Sequence, residues 1–521
     1  MTNKSKSIIS GMTVLGIAGV ICKLVGVLYS IPLAWIIGTS GLGIYQAVFP
    51  AYNLLLTISS AGLPVAVSRL VARSLAKDDP HGAKQVFKTA LFLLLALGCI
   101  ATILMLTGLD VLVTASDQPA SRLGFQVIAP CVAIVCVLSA FRGFMQGQQD
   151  MVPTAVSQLI EQVGKVFLAL PLAYLGSRID IAYGAAGALL GTTIVEAIAL
   201  VYMVILYYRR NSAFSTLPQA NTDTAEKPAA IAKQLMSISI PITIGACIVP
   251  LSQYIDSVML VGRLMTSGIA ESSAGALYGL FSGTVIRIIN IPTALALAVS
   301  MSLVPAISSA KALNDQGAVS KQMDLGMRFA FLIGFPCSIG MSVLAEPMMR
   351  FFYQGSIAED ELVIGGQLLS MSALTIVLFT VVQATTSVLQ GLGKQRIPMY
   401  TLVAGVICKI ILNYVLIAIP EINIHGAPIA SLVCYTVSLV PNMYFMLKHT
   451  NARMNWAGWI VRPGIATAAM GLCVFLLREL LPVNRLTVIV EIAFGVGVYA
   501  AAALALKAIT KEDLRAFRRR K

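Results

Sequence analysis

The chain has 521 residues, of which 57% are hydrophobic and only 12% charged, about half of the roughly 25% charged residues that soluble proteins carry. That balance excludes an ordinary water-soluble domain and turns the long apolar runs into membrane spans. The net charge of +14 would suit nucleic acid, but the Lys and Arg sit in short connections between apolar runs. The positive-inside bias explains them there, so no nucleic acid is expected as a partner.

In chain order, about fourteen segments are long and apolar enough to cross a bilayer. They run over 8–37, 43–71, 86–108, 123–145, 152–176, 181–208, 235–262, 274–304, 325–352, 363–389, 397–419, 427–447, 459–477 and 486–509. Lys4 and Lys6 precede the first in the manner of a signal peptide. The apolar run continues to Ile37, too long for a signal core, so it is expected to be a retained span. Every second connection is basic, as at Arg69, Arg73, Lys77, Lys84 and Lys88, again at Lys394 and Arg396, and in the closing Arg518-Arg519-Arg520-Lys521. The alternate loops are acidic or mixed, as in Glu359-Asp360-Glu361. Both termini are therefore expected on the cytoplasmic side of a multi-pass protein.

One stretch is written twice. FRGFMQGQQDMVPTAVSQLIEQVGK, 141–165, returns more loosely as SVLQGLGKQRIPMYTLVAGVICK, 387–409. Gln146-Gly147, Pro153 and Lys165 answer to Gln390-Gly391, Pro398 and Lys409. A fainter echo pairs Lys77-Asp78-Asp79…Gly82 with Asn314-Asp315-Gln316-Gly317. The one long polar connection, 211–233, is rich in Ser, Thr, Pro and Ala and falls between the sixth and seventh spans. The expected architecture is an all-α polytopic membrane protein with two pseudo-symmetric six-helix lobes, 1–210 and 234–448, joined by a cytoplasmic linker at 211–233. Residues 449–521 add two further helices and a basic tail.

Lys23, Lys165, Arg287 and Lys409 stand in mid-span, where a charge costs about 2.5–3.5 kcal/mol even on the mildest scale. Such residues line a wet cavity or pair with one another. Substrate contact in a shared polar cavity and plain ion pairing are both open for them, with Glu161, Glu196 and Asp256 as the available carboxylates. Glu161 lies one turn before Lys165 and is a ready partner within the same helix. Arg142, with Gln146, Gln148 and Gln149, forms a further polar cluster that either meets a headgroup or caps a helix. Asn413, one turn from Lys409, and Asp256 offer oxygens for ion coupling, yet two ligands do not make a metal site. The nine Cys form no CxxC and read as apolar fillers. No HExxH, Walker loop or GxSxG occurs, so an enzyme is not expected.

The stretches GLGIYQAVFPAYNLLLTISSAGLPVAVSRLVA, RGFMQGQQDMVPTAVSQLIEQVGKV and IPTALALAVSMSLVPAIS resemble the polysaccharide-exporter branch of the multidrug/oligosaccharidyl-lipid/polysaccharide (MOP) flippase superfamily. Within it the chain is similar to the stage V sporulation protein B group and the MurJ-type lipid II flippases. The resemblance implies fourteen helices in a bacterial plasma membrane and alternating-access transfer of an undecaprenyl-pyrophosphate-linked glycan from inner to outer leaflet. It implies that Lys23 and Arg287 hold the substrate in a central cavity, with Lys165, Lys409 and Arg142 as further candidates. Where MurJ proteins have an acidic neighbour to the first-helix cation this chain has Leu24, and their second-helix arginines fall at Leu56 and Thr57. No cofactor is expected; Na⁺, H⁺ or the membrane potential would drive transfer. The expected partners are the lipid-linked substrate, membrane lipids and cell-wall synthases, and the chain is expected to be a monomer. Two rival readings stay open: a cation-coupled multidrug antiporter of the same superfamily, and a non-transporting scaffold for a cell-wall synthase.

Overall fold

The structure, a computed structural model, describes residues 3–211, 227–450, 454–481 and 485–508. The side chains of residues 3–18, 20, 23, 24, 27, 210, 211, 298, 299, 301, 485 and 486 lie outside the described set. Lys23, named from the sequence, is among these.

Among the described residues the chain is helical throughout and has no named β-strand. Thirteen stretches are long and apolar enough to cross a membrane. The first of them, Leu28–Leu75, has 48 residues, about 72 Å of helix against a hydrocarbon core of about 30 Å. It therefore holds the end of the first predicted span, 28–37, together with the whole of the second, 43–71. Its main break is at Gly38 (φ 62, ψ −172), a conformation that only glycine adopts without strain.

The contacts divide the chain into two compact units. Unit 1 comprises Met1–Met265 and Ile269–Gly279. It holds α1 (Asn3–Ser60), α2 (Leu63–Leu75), α3 (Pro80–Thr107), α4 (Leu109–Ala115) and α5 (Arg122–Gly147). It continues through α6 (Val152–Gly164), α7 (Leu170–Ser177), α8 (Ile181–Asn211), α9 (Pro228–Thr266) and α10 (Glu271–Gly279). The repeat read from the sequence places α9 at the start of the second lobe, and by its contacts α9 is grouped with unit 1 as far as Met265. Gly62, in the break between α1 and α2, donates its N–H to Thr243 Oγ1 of α9 at 3.1 Å. A Cβ on Gly62 would fall 2.2 Å from the Ser239 carbonyl oxygen, so only glycine admits this approach.

Unit 2 comprises Leu280–Lys521 with Thr266–Gly268. It holds α11 (Ile286–Ala312), α12 (Gln316–Val343), α13 (Ala345–Tyr353) and α14 (Glu359–Gly391), then α15 (Arg396–Leu416), α16 (Gly426–Thr450), α17 (Arg462–Leu480) and α18 (Arg485–Ala505). The helices beyond the repeat dock on α12. Fully buried Trp459 joins the core of Met323, Met327 and Val388, and its Nε1–H donates to Asp324 Oδ1 at 2.7 Å. Tyr499 of α18 donates its hydroxyl to the Leu332 carbonyl at 2.9 Å.

The duplication seen in the sequence has matching local geometry in each unit. Asp79 caps α3 by accepting from Gly82 N–H, and Asp315 caps α12 by accepting from Ala318 N–H. The residues before them, Asp78 (φ 55) and Asn314 (φ 53), are both left-handed. Helices α5 and α14 also end alike, with a left-handed residue at Gln149 (φ 64) and at Gly393 (φ 72). In each case two N–H groups fold back: Gln149 to Gln146 O and Asp150 to Met145 O, then Gly393 to Gln390 O and Lys394 to Leu389 O. That is the left-handed helix stop that satisfies the last carbonyls.

Candidate functional site

In unit 1 a cluster of polar residues lies where α5, α6 and α8 meet. Ser157, Glu161 and Lys165 are spaced by four, so they share one face at the end of α6. Arg142, near the C-terminal end of α5, donates its Nε–H to Ser157 Oγ at 2.9 Å and bonds through Nη2 to Glu161 Oε1. Ser157 donates its own O–H to the Thr154 carbonyl at 2.8 Å. The ion pair is shielded, with side-chain exposures of 13% for Arg142 and 11% for Glu161.

Glu196 of α8 is buried beside Glu161, Lys165 and Arg142, and its Oε2 has no hydrogen-bond partner. Small residues bring α8 this close. A Cβ on Gly164 would lie 2.6 Å from Val195, and one on Gly191 would lie 2.3 Å from Ala169 Cα. The small-residue spacing Gly187…Gly191 thus serves helix packing, as its spacing predicts. Behind Glu196, Tyr52 Oη meets Cys131 Sγ at 3.3 Å.

Lys165 opens a π-helical turn, Lys165–Ala169. Among the described residues it carries no ion pair, because Glu161, its expected partner in the same helix, is taken by Arg142 across helices. Its repeat equivalent, Lys409, lies in the uninterrupted helix α15. Among the described residues the cluster gathers two basic side chains, Arg142 and Lys165, and two carboxyl groups, Glu161 and Glu196.

In unit 2 a second π-helical turn, Leu280–Val285, ends two residues before Arg287. Arg287 is half-buried and lies near Tyr353, the last residue of α13. Tyr353 is fully buried and its hydroxyl has no hydrogen-bond partner. Burial pushes the phenol pKa up, and the Arg287 charge opposes that shift. Lys409 is half-buried, and Asn413, one turn on, is fully buried. Asp256, considered with Asn413 for ion coupling, belongs to unit 1. No group of three or more His, Cys, Asp or Glu among the described residues is arranged to hold a metal ion.

The sequence signature of the polysaccharide biosynthesis proteins matches residues 8–311, more than half of the chain. The chain belongs to the polysaccharide biosynthesis protein family. A second signature, MatE, matches residues 241–415 of this family member. It is 26% identical over 465 residues to the "Lipid II flippase MurJ" of Bacillus subtilis (strain 168), covering 85% of this chain and 83% of that protein. It is 28% identical over 426 residues to "Stage V sporulation protein B" of the same organism, covering 82% and 80%. In fold it resembles the solved "Lipid II flippase MurJ, inward closed conformation", with a TM-score of 0.69 at 12% identity over 94% of this chain and 97% of that one.

For this member of the family, the sequence marked Arg142, Glu161, Lys165 and Glu196 as separate candidates, and the structure brings them into one cluster. Ser157 was missed, although its place four residues before Glu161 is the visible signal. The Tyr52–Cys131 contact joins residues 79 apart and has no signature in the sequence.

Proposed function

We propose that this protein is a flippase that carries an undecaprenyl-pyrophosphate-linked glycan, a lipid II-like precursor or another polysaccharide unit, from the inner to the outer leaflet of a bacterial plasma membrane. The reading is carried by similarity to a lipid II flippase and a sporulation protein over more than four-fifths of the chain. The chemistry agrees with it. A pyrophosphate that leaves water needs cations to replace lost hydration, and Arg offers a fork of N–H donors for that purpose. Arg287 and Lys409 in unit 2, Lys165 in unit 1 and Lys23 are the proposed substrate contacts. Arg142 is proposed as the residue that fixes Glu161 beside Lys165. Transfer of an anionic headgroup outward is favoured by an inside-negative potential, at about 2.3 kcal/mol per charge per 100 mV.

The test is complementation of a strain depleted of its lipid II flippase. Arg287→Ala is expected to abolish growth while membrane insertion stays at the wild-type level. Full growth of that variant would remove Arg287 from the site. A second reading, a cation-coupled antiporter, draws on the MatE match and on the unpartnered Oε2 of Glu196. It requires that the wild-type protein raise drug resistance in an efflux-deficient host and that Glu196→Gln abolish the gain. The flippase reading expects no change in resistance from either form.

A further inference from the structure

Unit 1 has a groove of about 810 Å³ where α3, α5 and α8 meet. None of its lining residues belongs to the Arg142–Glu161 cluster. The lining changes character along the groove. At one end stand His81, Lys84 and Lys88 of α3, with Gln148 just beyond α5. Lys84 and Lys88 are four apart and share a helix face. Among the described residues neither forms an ion pair.

The middle is an aromatic wall. Phe87 packs on Phe141, Phe144 and Tyr207 with ring centroids 5.1, 4.7 and 4.8 Å apart. The far part is aliphatic, lined by Leu91, Leu95, Val137, Leu200 and Val204. From Lys84 to Leu95 the helix rises about 16 Å, close to half of a hydrocarbon core of about 30 Å. The groove also reaches an exposed apolar surface of α3, since its lining residue Leu95 is 44% exposed.

A soluble anion would use the basic end and leave the aliphatic part empty. A neutral hydrocarbon would leave the two lysines without a counter-charge. We propose that the groove binds an anionic membrane phospholipid, with its phosphate at Lys84 and Lys88 and one acyl chain laid along Phe87 and Leu91 to Leu95. The occupant is a lipid of the surrounding leaflet and not the transported substrate, so the proposal does not rest on the flippase reading.

The test uses the full chain reconstituted in phosphatidylcholine vesicles that carry a trace of acyl-spin-labelled phosphatidylglycerol or, in a parallel set, acyl-spin-labelled phosphatidylcholine. Phosphatidylglycerol should be immobilised in preference to phosphatidylcholine. The double variant Lys84→Gln/Lys88→Gln, at surface positions that folding tolerates, should lower that preference by about tenfold or more. Phosphatidylglycerol with a photoreactive acyl chain should mark residues in α3, α5 and α8 along the groove. The proposal is overturned if the two lipids are immobilised equally, if the double variant keeps the wild-type preference, or if the adducts map elsewhere. The last outcome would leave the groove to a protein partner.

Discussion

The Arg142–Glu161 pair shows what a buried charge requires. Its bond to Ser157 and its enclosure by three helices make the geometry good enough to hold two charges away from water. Removing one partner leaves the other uncompensated, so Glu161→Gln is expected to cost about 3–5 kcal/mol. The paired change Arg142→Met/Glu161→Leu should cost clearly less, and thermal unfolding of the detergent-solubilised variants measures both. Asp117 differs, because it lies outside the spans in a left-handed turn (φ 48). Burial pushes its carboxyl pKa up, and Glu271 adds to the shift. A carboxyl held above its unfolded value stabilises the fold while protonated and loses that contribution as pH rises through the folded pKa. Asp117→Asn should therefore raise the Tm at pH 7.5, with a gain that shrinks as pH falls toward the ordinary Asp range of about 4. Any benefit of Asn at a left-handed position is independent of pH, so the slope separates the two effects.

At the scale of the element, the repeated stretches place glycines where one helix rests on another. A Cβ on Gly391 would lie 2.7 Å from Ile307 Cβ, as one on Gly147 would lie 2.7 Å from Val71 Cβ. Helix stops with the same hydrogen bonds follow both. Gly391→Ala should cost about 1–3 kcal/mol through overpacking. Gln149→Gly should gain a few tenths to about 1 kcal/mol, since glycine sits at φ 64 without the penalty Gln carries there. Opposite signs at these two positions, read by thermal unfolding, test the packing argument at Gly391 and the helix-stop argument at Gln149. The Gln-Gly motif was visible in the sequence because its residues are consecutive. Its partners Val71 and Ile307 were not, because contacts between helices leave no mark in chain order.

For the whole molecule, the alternation of basic and acidic connections predicts cytoplasmic termini. A fluorescent protein fused at the C-terminus should glow, and alkaline phosphatase fused there should be inactive; the reverse pattern would overturn the orientation. The membrane architecture was legible early because twenty-residue apolar runs admit few alternatives in a bilayer. The break at Gly38 was legible in outline, since the first predicted span ends at Ile37 and the second begins at Gly43, while the left-handed geometry that makes it came only from the structure. Sequence spacing left Lys165 as an open partner for Glu161, and the structure pairs Glu161 with Arg142 of α5, nineteen residues away in the chain.

Composition and periodicity alone determined that the chain crosses the membrane many times, that it is helical, that its halves share a motif and that it carries charges in mid-span. Those properties follow from the local cost of exposing peptide groups to lipid and need no knowledge of neighbours. Only the tertiary structure decided that Arg142 meets Glu161 and that, among the described residues, two lysines without an ion pair stand at the basic end of an aliphatic groove. Both depend on contacts between helices distant in sequence, which leave no mark in chain order.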